Sequence, residues 1–253
     1  MSESRSDDPA VLKSYPVWDL AVRSFHWINL LCVLALIAVG VAILNDGALG
    51  IDNDGKVLLK TVHVCIGYVF VLNLAWRLVW AFVGGAHARW RGILPGGRGY
   101  LQELHIYVRD LRAGRIRQYR GHDPLGRLAV TTLLILMLLQ AMTGLLLAGT
   151  DLFYPPLGGW IAGKVAAPGV DPATLVPYAP AMYDAAAYAE MRSWRAPVVA
   201  MHGYVFYALL VVAVIHLLGV IATEVRTGSN LVSAMVTGKK ILKAPPVDQE
   251  PLK

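Results

Sequence analysis

Four long apolar blocks, separated by polar connections, dominate the pattern of this chain. Three of them, of 20, 23 and 28 residues, contain no charged residue, and the fourth contains only two. The blocks are 25–44, 128–150, 196–223 and, with Lys60 and Arg77 inside it, 57–84. A helix needs about 20 apolar residues to cross a bilayer core. The pattern therefore predicts four membrane helices, over about 24–45, 57–84, 126–150 and 196–223, rather than helices of a large soluble core. The first block is too long for the apolar region of a cleaved signal peptide.

The two longest connections carry patterns of their own. The 151–195 connection contains six prolines, and its apolar part, 152–163, is too short to span. We expect residues 152–154 and 160–161 to be exposed and to lie on lipid headgroups or on a partner, and residues 182–192 to form a short helix. In the 85–125 connection, arginines alternate with apolar residues over 100–120. This alternation predicts a basic amphipathic helix on an anionic membrane surface, with a solvated loop as the alternative.

Composition supports a membrane protein. The chain is 56% hydrophobic and only 16% charged, with a mean hydropathy of +0.52, whereas soluble domains carry about 25% charged residues. This composition excludes a disordered chain, a nucleic-acid-binding domain and an ordinary soluble enzyme. The net charge of +6 is better explained by the excess of Lys and Arg that cytoplasmic loops carry.

The distribution of Lys and Arg predicts the orientation of the chain. Residues 1–24, 84–127 and 224–253 together hold 17 of them, and the other two connections, with Lys60, hold 5. Because cytoplasmic loops are the ones enriched in Lys and Arg, we expect both termini and the 85–125 loop to be cytoplasmic. The 151–195 segment is then periplasmic, and the protein is a multi-pass protein of the bacterial inner membrane.

The cysteines indicate no cofactor or metal site. The two cysteines, Cys32 and Cys65, both fall inside apolar blocks, and no Cys-x-x-Cys-His motif occurs. These facts exclude covalent c-type haem, an iron–sulfur cluster and a structural zinc on this chain. We interpret both cysteines as small packing residues.

Four of the seven histidines lie inside the apolar blocks, where ionisable residues are costly and usually functional. His63 and His202 fall near the outer ends of their blocks, and His26 and His216 near the inner ends. The remaining three, His87, His105 and His122, are predicted to be ordinary loop residues.

The spacing of the two histidines in the last block is the most informative signal. His202 and His216 are 14 residues apart, which is 40° short of four helical turns and about 21 Å along the axis. They therefore project from nearly one face at two depths, as two stacked cofactors in a helix bundle require. Imidazole is a good axial ligand of haem iron. The alternatives are a histidine-based metal or proton transporter and a structural anchor.

Other residues in the blocks fit haem. Gly40, Gly67, Gly203 and Gly219 fall near the histidines, where a small residue lets a flat macrocycle approach the backbone. The alternative is ordinary small-residue packing between helices. Arg77 follows His63 by 14 residues, and a haem propionate would supply the anion that a buried arginine needs. Three further arginines near the ends of the blocks could also bind propionates, namely Arg23, Arg127 and Arg195. The alternative for these three is contact with lipid phosphate.

Several motifs together resemble the b-type cytochrome subunit of membrane-bound nickel–iron hydrogenases, within the wider family of prokaryotic di-haem membrane cytochromes b. The resemblance covers about residues 15–241. The motifs are Arg23-Ser-Phe-His26-Trp27, His63-x-x-x-Gly67 with Arg77-x-x-Trp80, Gly121-His122-Asp123-Pro124-Leu125, His202-Gly203 with His216, and the stretch from Glu224 to Gly238.

The resemblance implies a fold, a cofactor set and a role. The expected fold is an all-α integral membrane four-helix bundle over residues 1–241 holding two b-type haems, followed by a flexible cytoplasmic tail, 242–253. His63 and His202 would bind the outer haem iron, and His26 and His216 the inner one. Electrons would pass between a periplasmic redox partner and quinone, so the chain is an electron-transfer subunit of an oxidoreductase complex rather than a catalyst on its own.

The partner is less defined than the role. The 151–195 segment is longer and richer in proline than the corresponding part of the hydrogenase subunits. A formate dehydrogenase or a multihaem cytochrome c therefore stands beside hydrogenase as the periplasmic partner.

Overall fold

A computed structural model describes residues 12–115 and 117–248 of the chain. Among these residues, eight α-helices, two short 3₁₀ turns and two short strands follow one another along the sequence. The elements are β1 (Lys13–Pro16), α1 (Leu20–Leu44), α2 (Asn53–Val83), α3 (Trp90–Ile93), α4 (Tyr100–Arg112), α5 (Pro124–Leu152), α6 (Gly158–Val165), the 3₁₀ turns Pro172–Thr174 and Pro180–Met182, α7 (Ala185–Thr227), α8 (Leu231–Thr237) and β2 (Lys239–Leu242).

Four of the described helices, α1, α2, α5 and α7, are long and apolar enough to cross a membrane. They contain the four predicted apolar blocks. Many of their large apolar side chains are exposed, among them Leu31 at 66% and Leu72 at 71%, as side chains in contact with lipid tails would be.

Aspartates begin all four membrane helices. The Oδ1 atoms of Asp19, Asp52, Asp123 and Asp184 each accept a hydrogen bond, of 2.8 Å, from a backbone N–H three residues further on. This is the N-cap arrangement, which satisfies donors that the first helical turn leaves without a partner. Each helix therefore starts ahead of its apolar block.

Helix α7 shows the largest difference from the predicted bounds. The short helix expected over 182–192 does not exist as a separate element, because Asp184 caps one continuous helix of 43 residues that begins at Ala185. At 1.5 Å per residue such a helix is about 65 Å long, about twice the thickness of a bilayer core. Its first eleven residues therefore extend beyond the apolar block.

The backbone contacts divide the chain into two compact units. Unit 1 comprises the described residues of Met1–His26, Arg77–Leu133 and Val212–Lys253, and unit 2 comprises Trp27–Trp76 and Leu134–Val211. Each membrane helix contributes one part to each unit. The histidines of the apolar blocks divide accordingly, with His26 and His216 in unit 1 and His63 and His202 in unit 2.

A small antiparallel sheet, which the all-α pattern did not predict, lies in unit 1. Strand β1 pairs with β2 from Lys13 opposite Leu242 to Pro16 opposite Lys239. Gly238, with a φ of 77°, ends α8 in the left-handed conformation that glycine tolerates, and its carbonyl accepts hydrogen bonds from the N–H groups of Val17 and Trp18.

Part of the tail predicted as flexible is held against unit 1. The Asp248 carboxylate accepts hydrogen bonds from the backbone N–H groups of Arg120 at 2.6 Å and Gly121 at 2.7 Å. Val247 N–H donates to the carbonyl of Gln118. Residues 249–253 lie outside the described residues.

In unit 2, the 151–195 connection builds a small hydrophobic core of its own. The buried members are Ile161, Ala162, Val165, Leu175, Tyr183 and Met191. Gly158 is required at the start of α6, because a Cβ there would lie 2.0 Å from the carbonyl carbon of Phe153.

This core corrects the expected exposure of the connection. Leu152 and Ile161 are 4% and 1% exposed, and Phe153 packs against the core. Of the two apolar stretches predicted to be exposed, only Trp160, at 63%, is a large exposed side chain.

The basic stretch 100–120 is helical only over α4, which ends at Arg112. Beyond the helix, Arg115 and Arg117 turn back and both bind the buried carboxylate of Asp110 at 2.7 Å. Hydrogen bonds from these two arginines lower the pKa of Asp110 to about 2.

Candidate haem sites

In unit 2, the histidines of α2 and α7 face each other. The ring centroids of His63 and His202 are 6.4 Å apart and the ring planes are inclined by 70°. Because a metal bonds an imidazole nitrogen at about 2.0–2.1 Å, this separation is what one iron bonded to both rings requires. The Nδ1 atom of His63 is buried and has no hydrogen-bond partner.

The surroundings of His202 contain two polar residues of α5. Thr143 Oγ1 lies 2.8 Å from His202 Nδ1, and Gln140 Nε2 lies 3.0 Å from His202 Nε2. The hydroxyl of Thr143 also donates to the carbonyl of Leu139 at 2.8 Å. Sequence reasoning missed both residues, although the pair lies on one turn of α5 within an otherwise apolar block.

Glycines lie against both rings of this pair. A methyl group at Gly40 on α1 would lie 3.5 Å from Cε1 of His63, and one at Gly144 on α5 would lie 3.3 Å from Cε1 of His202. Gly40 was predicted from its spacing, whereas Gly144 was not. A methyl group at Gly67 or Gly203 would have no atom within 4 Å, so these predicted glycines face open space. The same is true of Gly219 in unit 1.

The two cations near this pair, Lys60 and Arg195, share one carboxylate. Asp151 binds Lys60 at 2.8 Å and also pairs with Arg195. Lys60 further donates to Tyr178 at 2.8 Å, and Arg195 to Thr150 at 3.1 Å. Arg195 is therefore engaged by a carboxylate of the protein rather than available for a propionate.

In unit 1, the other two histidines, His26 on α1 and His216 on α7, interact electrostatically. The residues that interact in each unit, His63 with His202 and His26 with His216, are those that the depths in the sequence paired. Haem ligation by these residues stays a prediction.

Arg77 lies in unit 1 and is 5% exposed. One of its nitrogens, Nη2, donates to the carbonyl of Ala88 at 3.1 Å, whereas Nη1 is buried without a hydrogen-bond partner. The guanidinium lies 5.9 Å from the Phe25 ring. The acidic charge that acts on Arg77 is that of Asp19, whose oxygens accept from Val22 and Trp80. A buried cation with an unused donor fits an anionic group of a cofactor.

Two histidines predicted to be ordinary loop residues, His122 and His87, lie beside Trp18 in unit 1. The rings of His122 and His87 lie 4.8 Å and 6.5 Å from the Trp18 ring. Desolvation, reinforced by the nearby charges of Lys240, Arg77, His216 and His87, lowers the pKa of His122 to about 3. Both histidines lie in loops, as predicted, but their rings are half-buried beside Trp18, whereas His105 is exposed on α4.

The remaining arginines suggested as propionate partners contact backbone carbonyls. Arg23 donates to Val236, and Arg127 donates to Arg91 and Leu94. Both keep a buried Nε without a partner. A cavity of about 370 Å³ opens in the same unit. It is lined by Pro16, Val17, Trp18, Asp19, Ala86, His87, Arg120 and Asp248.

The histidine pairs fit haem better than a bare metal ion. Among the described residues, no group of three or more His, Cys, Asp and Glu side chains converges on a point where an ion would bind. The separation of the two imidazoles in unit 2 matches that of two axial ligands of one haem iron. Apolar membrane helices with facing histidines define the class of membrane cytochromes b.

Comparison with known proteins identifies the family. The model of the prokaryotic cytochrome b561 family matches residues 17–238, so the chain belongs to this family. This match confirms the expected all-α integral membrane helical bundle, and membership implies a b-type haem as cofactor.

The resemblance to hydrogenase cytochrome subunits is confirmed as well. A protein of Rhizobium leguminosarum bv. viciae is 24% identical over 91% of this chain and 90% of its own length. A protein of Rhodobacter capsulatus is 26% identical over 90% and 81%, respectively, and one of Cupriavidus necator is 22% identical over 92% and 89%. All three are described as probable Ni/Fe-hydrogenase B-type cytochrome subunits. No solved structure matches the chain.

Proposed function

We propose that this chain transfers electrons across the bacterial inner membrane between a periplasmic redox partner and quinone. Two b-type haems with bis-histidine ligation would carry the electrons, one held by His63 and His202 and the other by His26 and His216. The observation that carries this proposal is the separation of 6.4 Å between the ring centroids of His63 and His202. The repetition of a histidine pair in unit 1 supports the second haem.

The side chains of the protein hold and tune the cofactor. When bound, haem supplies one-electron transfer, and the chain supplies ligands, orientation and electrostatics. The buried Nη1 of Arg77 would bind a propionate of the unit 1 haem. Gly40 lets the His63 ring lie close to α1, and the open space beside Gly67 and Gly203 leaves room for a macrocycle.

The distribution of Lys and Arg supports the orientation. Both termini and the 85–125 loop would face the cytoplasm, and the 151–195 connection the periplasm. We propose that the partner docks on this connection around Trp160, a large apolar side chain that is 63% exposed. A nickel–iron hydrogenase is the partner that the names of the relatives favour. Formate dehydrogenase or a multihaem cytochrome c is the alternative, because the sequence predicts that this connection differs from that of the hydrogenase subunits.

Quinone would bind in unit 1. The cavity there lies next to Trp18, whose ring contacts His122, and its volume of about 370 Å³ falls within the range usual for small-molecule sites. The electrons would therefore leave from the His26–His216 haem.

Haem content and spectra of the purified chain test the proposal. We expect two haems per chain and a sharp α-band on reduction. A quinone analogue should perturb the spectrum of the unit 1 haem only. A colourless protein would overturn the proposal and favour a transporter or an anchor, and one haem per chain would overturn the two-haem arrangement.

A further inference from the structure

We infer that Thr143 is a positioning residue that fixes the tautomer and ring orientation of His202 as an iron ligand. This inference rests on the proposed haem site of unit 2. It concerns a residue that neither spacing nor family resemblance indicated. Its basis is the contact of 2.8 Å between Thr143 Oγ1 and His202 Nδ1.

The direction of this hydrogen bond follows from the neighbouring contacts. The amide Nε2 of Gln140 donates to His202 Nε2 at 3.0 Å, which requires a lone pair on Nε2 and the ring proton on Nδ1. Nδ1–H then donates to Thr143 Oγ1. The hydroxyl is free to accept because its own proton goes to the carbonyl of Leu139, 2.8 Å away.

This chain of hydrogen bonds prepares one nitrogen for the metal. Iron would take the lone pair of Nε2 in place of the amide of Gln140, which contacts it in this structure. Metal-bound histidines usually donate their other N–H to an acceptor, and this bond fixes the ring and makes it a stronger ligand. Gly144 adds a steric constraint, since a methyl group there would lie 3.3 Å from Cε1 of the His202 ring.

The two ligands of the proposed unit 2 haem therefore differ. His202 has an acceptor for its second nitrogen, whereas Nδ1 of His63 is buried without a partner. Of the two ligand rings, only that of His202 is therefore held in a fixed orientation by a hydrogen bond to its second nitrogen. Thr143 provides that hydrogen bond.

Three variants of the full-length, haem-loaded protein test the role of Thr143. Thr143→Val removes the hydroxyl and keeps the shape, and Thr143→Ser keeps the hydroxyl. Thr132→Val is the matched control, because Thr132 also lies on α5 but its hydroxyl donates only to the carbonyl of Leu128. The readouts are haem transfer to excess apomyoglobin, the midpoint potentials of both haems, and the low-spin EPR signal, which reports ligand-ring orientation.

We expect Thr143→Val to weaken the binding of one haem by about 10- to 100-fold, the usual effect of losing such a partner. The potential of that haem should rise, because a less basic ligand stabilises ferric iron less. Its EPR signal should shift, whereas Thr143→Ser and Thr132→Val should match the parent protein. Equal haem retention, potentials and EPR spectra in Thr143→Val and the parent protein would overturn the role of Thr143. A parent protein without haem would instead overturn the proposed function on which the inference rests.

Discussion

The two units carry histidine pairs of the same kind in different electrostatic surroundings. In unit 2, the two cations near the histidine pair, Lys60 and Arg195, both bind the carboxylate of Asp151. The buried polar atoms of unit 2 without a partner belong to uncharged groups, namely Asn29 Oδ1, His63 Nδ1 and Gln140 Oε1. In unit 1, the corresponding atoms include nitrogens of three arginines: Arg23, Arg77 and Arg127.

This difference indicates what each unit is prepared to bind. Buried cations with unused donors require an anion, and haem propionates would meet that need in unit 1. A positive surrounding also favours the reduced state of a haem. We therefore expect the unit 1 haem to have the higher reduction potential, which makes it the natural exit for electrons that enter through unit 2.

The largest expected difference between the two units is in partner docking, which we expect at unit 2 only. Trp160→Ser in unit 2 removes an exposed aromatic side chain of the kind that dominates interfaces. We expect at least about a tenfold loss of co-purified partner, with both haems retained. Nickel content and covalently bound haem in the purified complex report a hydrogenase and a multihaem cytochrome, respectively.

Leu101→Ser is the matched control, because Leu101 is 77% exposed on α4 of unit 1. If Leu101→Ser released the partner and Trp160→Ser did not, the direction of electron flow proposed for the two units would be inverted.

Removal of the buried cation in unit 1 should reduce the difference in potential. Two unit charges about 6 Å apart interact by roughly 3 kcal/mol at an effective dielectric constant of 20, and propionates would screen part of this energy. Arg77→Leu should lower the potential of the unit 1 haem by less than that amount. The exposed Arg112→Leu serves as control in a redox titration, and unchanged potentials in Arg77→Leu would remove Arg77 from the haem site.

Disruption of the ion pairs of Asp151 with Lys60 and Arg195 should lower the local stability of unit 2 alone. Asp151→Asn leaves Lys60 and Arg195, whose side chains are 22% and 16% exposed, without their carboxylate. We expect a local loss of about 1–3 kcal/mol, the usual cost of leaving a buried polar group without its partner, seen as about 5- to 150-fold faster hydrogen exchange over 158–183. Asp46→Asn, which breaks a more exposed pair with Lys56, should change exchange little. Equal effects of the two substitutions would show that the network adds no stability.

Hydropathy and helical spacing predicted the membrane helices and both histidine pairs. The early starts of the helices escaped prediction, because Asp19, Asp52, Asp123 and Asp184 act by capping just outside the apolar blocks. The β1–β2 sheet escaped as well, since it joins two four-residue strands from opposite ends of the chain.

The surroundings of the histidines were harder to predict than the histidines themselves. Thr143 and Gln140 contact His202 from another helix, and a single sequence does not reveal which face of α5 meets α7. Similarly, the sequence places His122 in a loop but does not show that the fold brings it to Trp18. Exposure of the 151–195 connection was misjudged because its apolar residues pack on each other.

The most direct test of the two-unit account is the haem content of His202→Ala and His216→Ala. We predict that each purified variant retains one haem, that His202→Ala loses the haem of lower potential, and that His216→Ala loses the haem of higher potential. Retention of both haems with unchanged spectra in either variant would contradict the pairing of His63 with His202 and of His26 with His216.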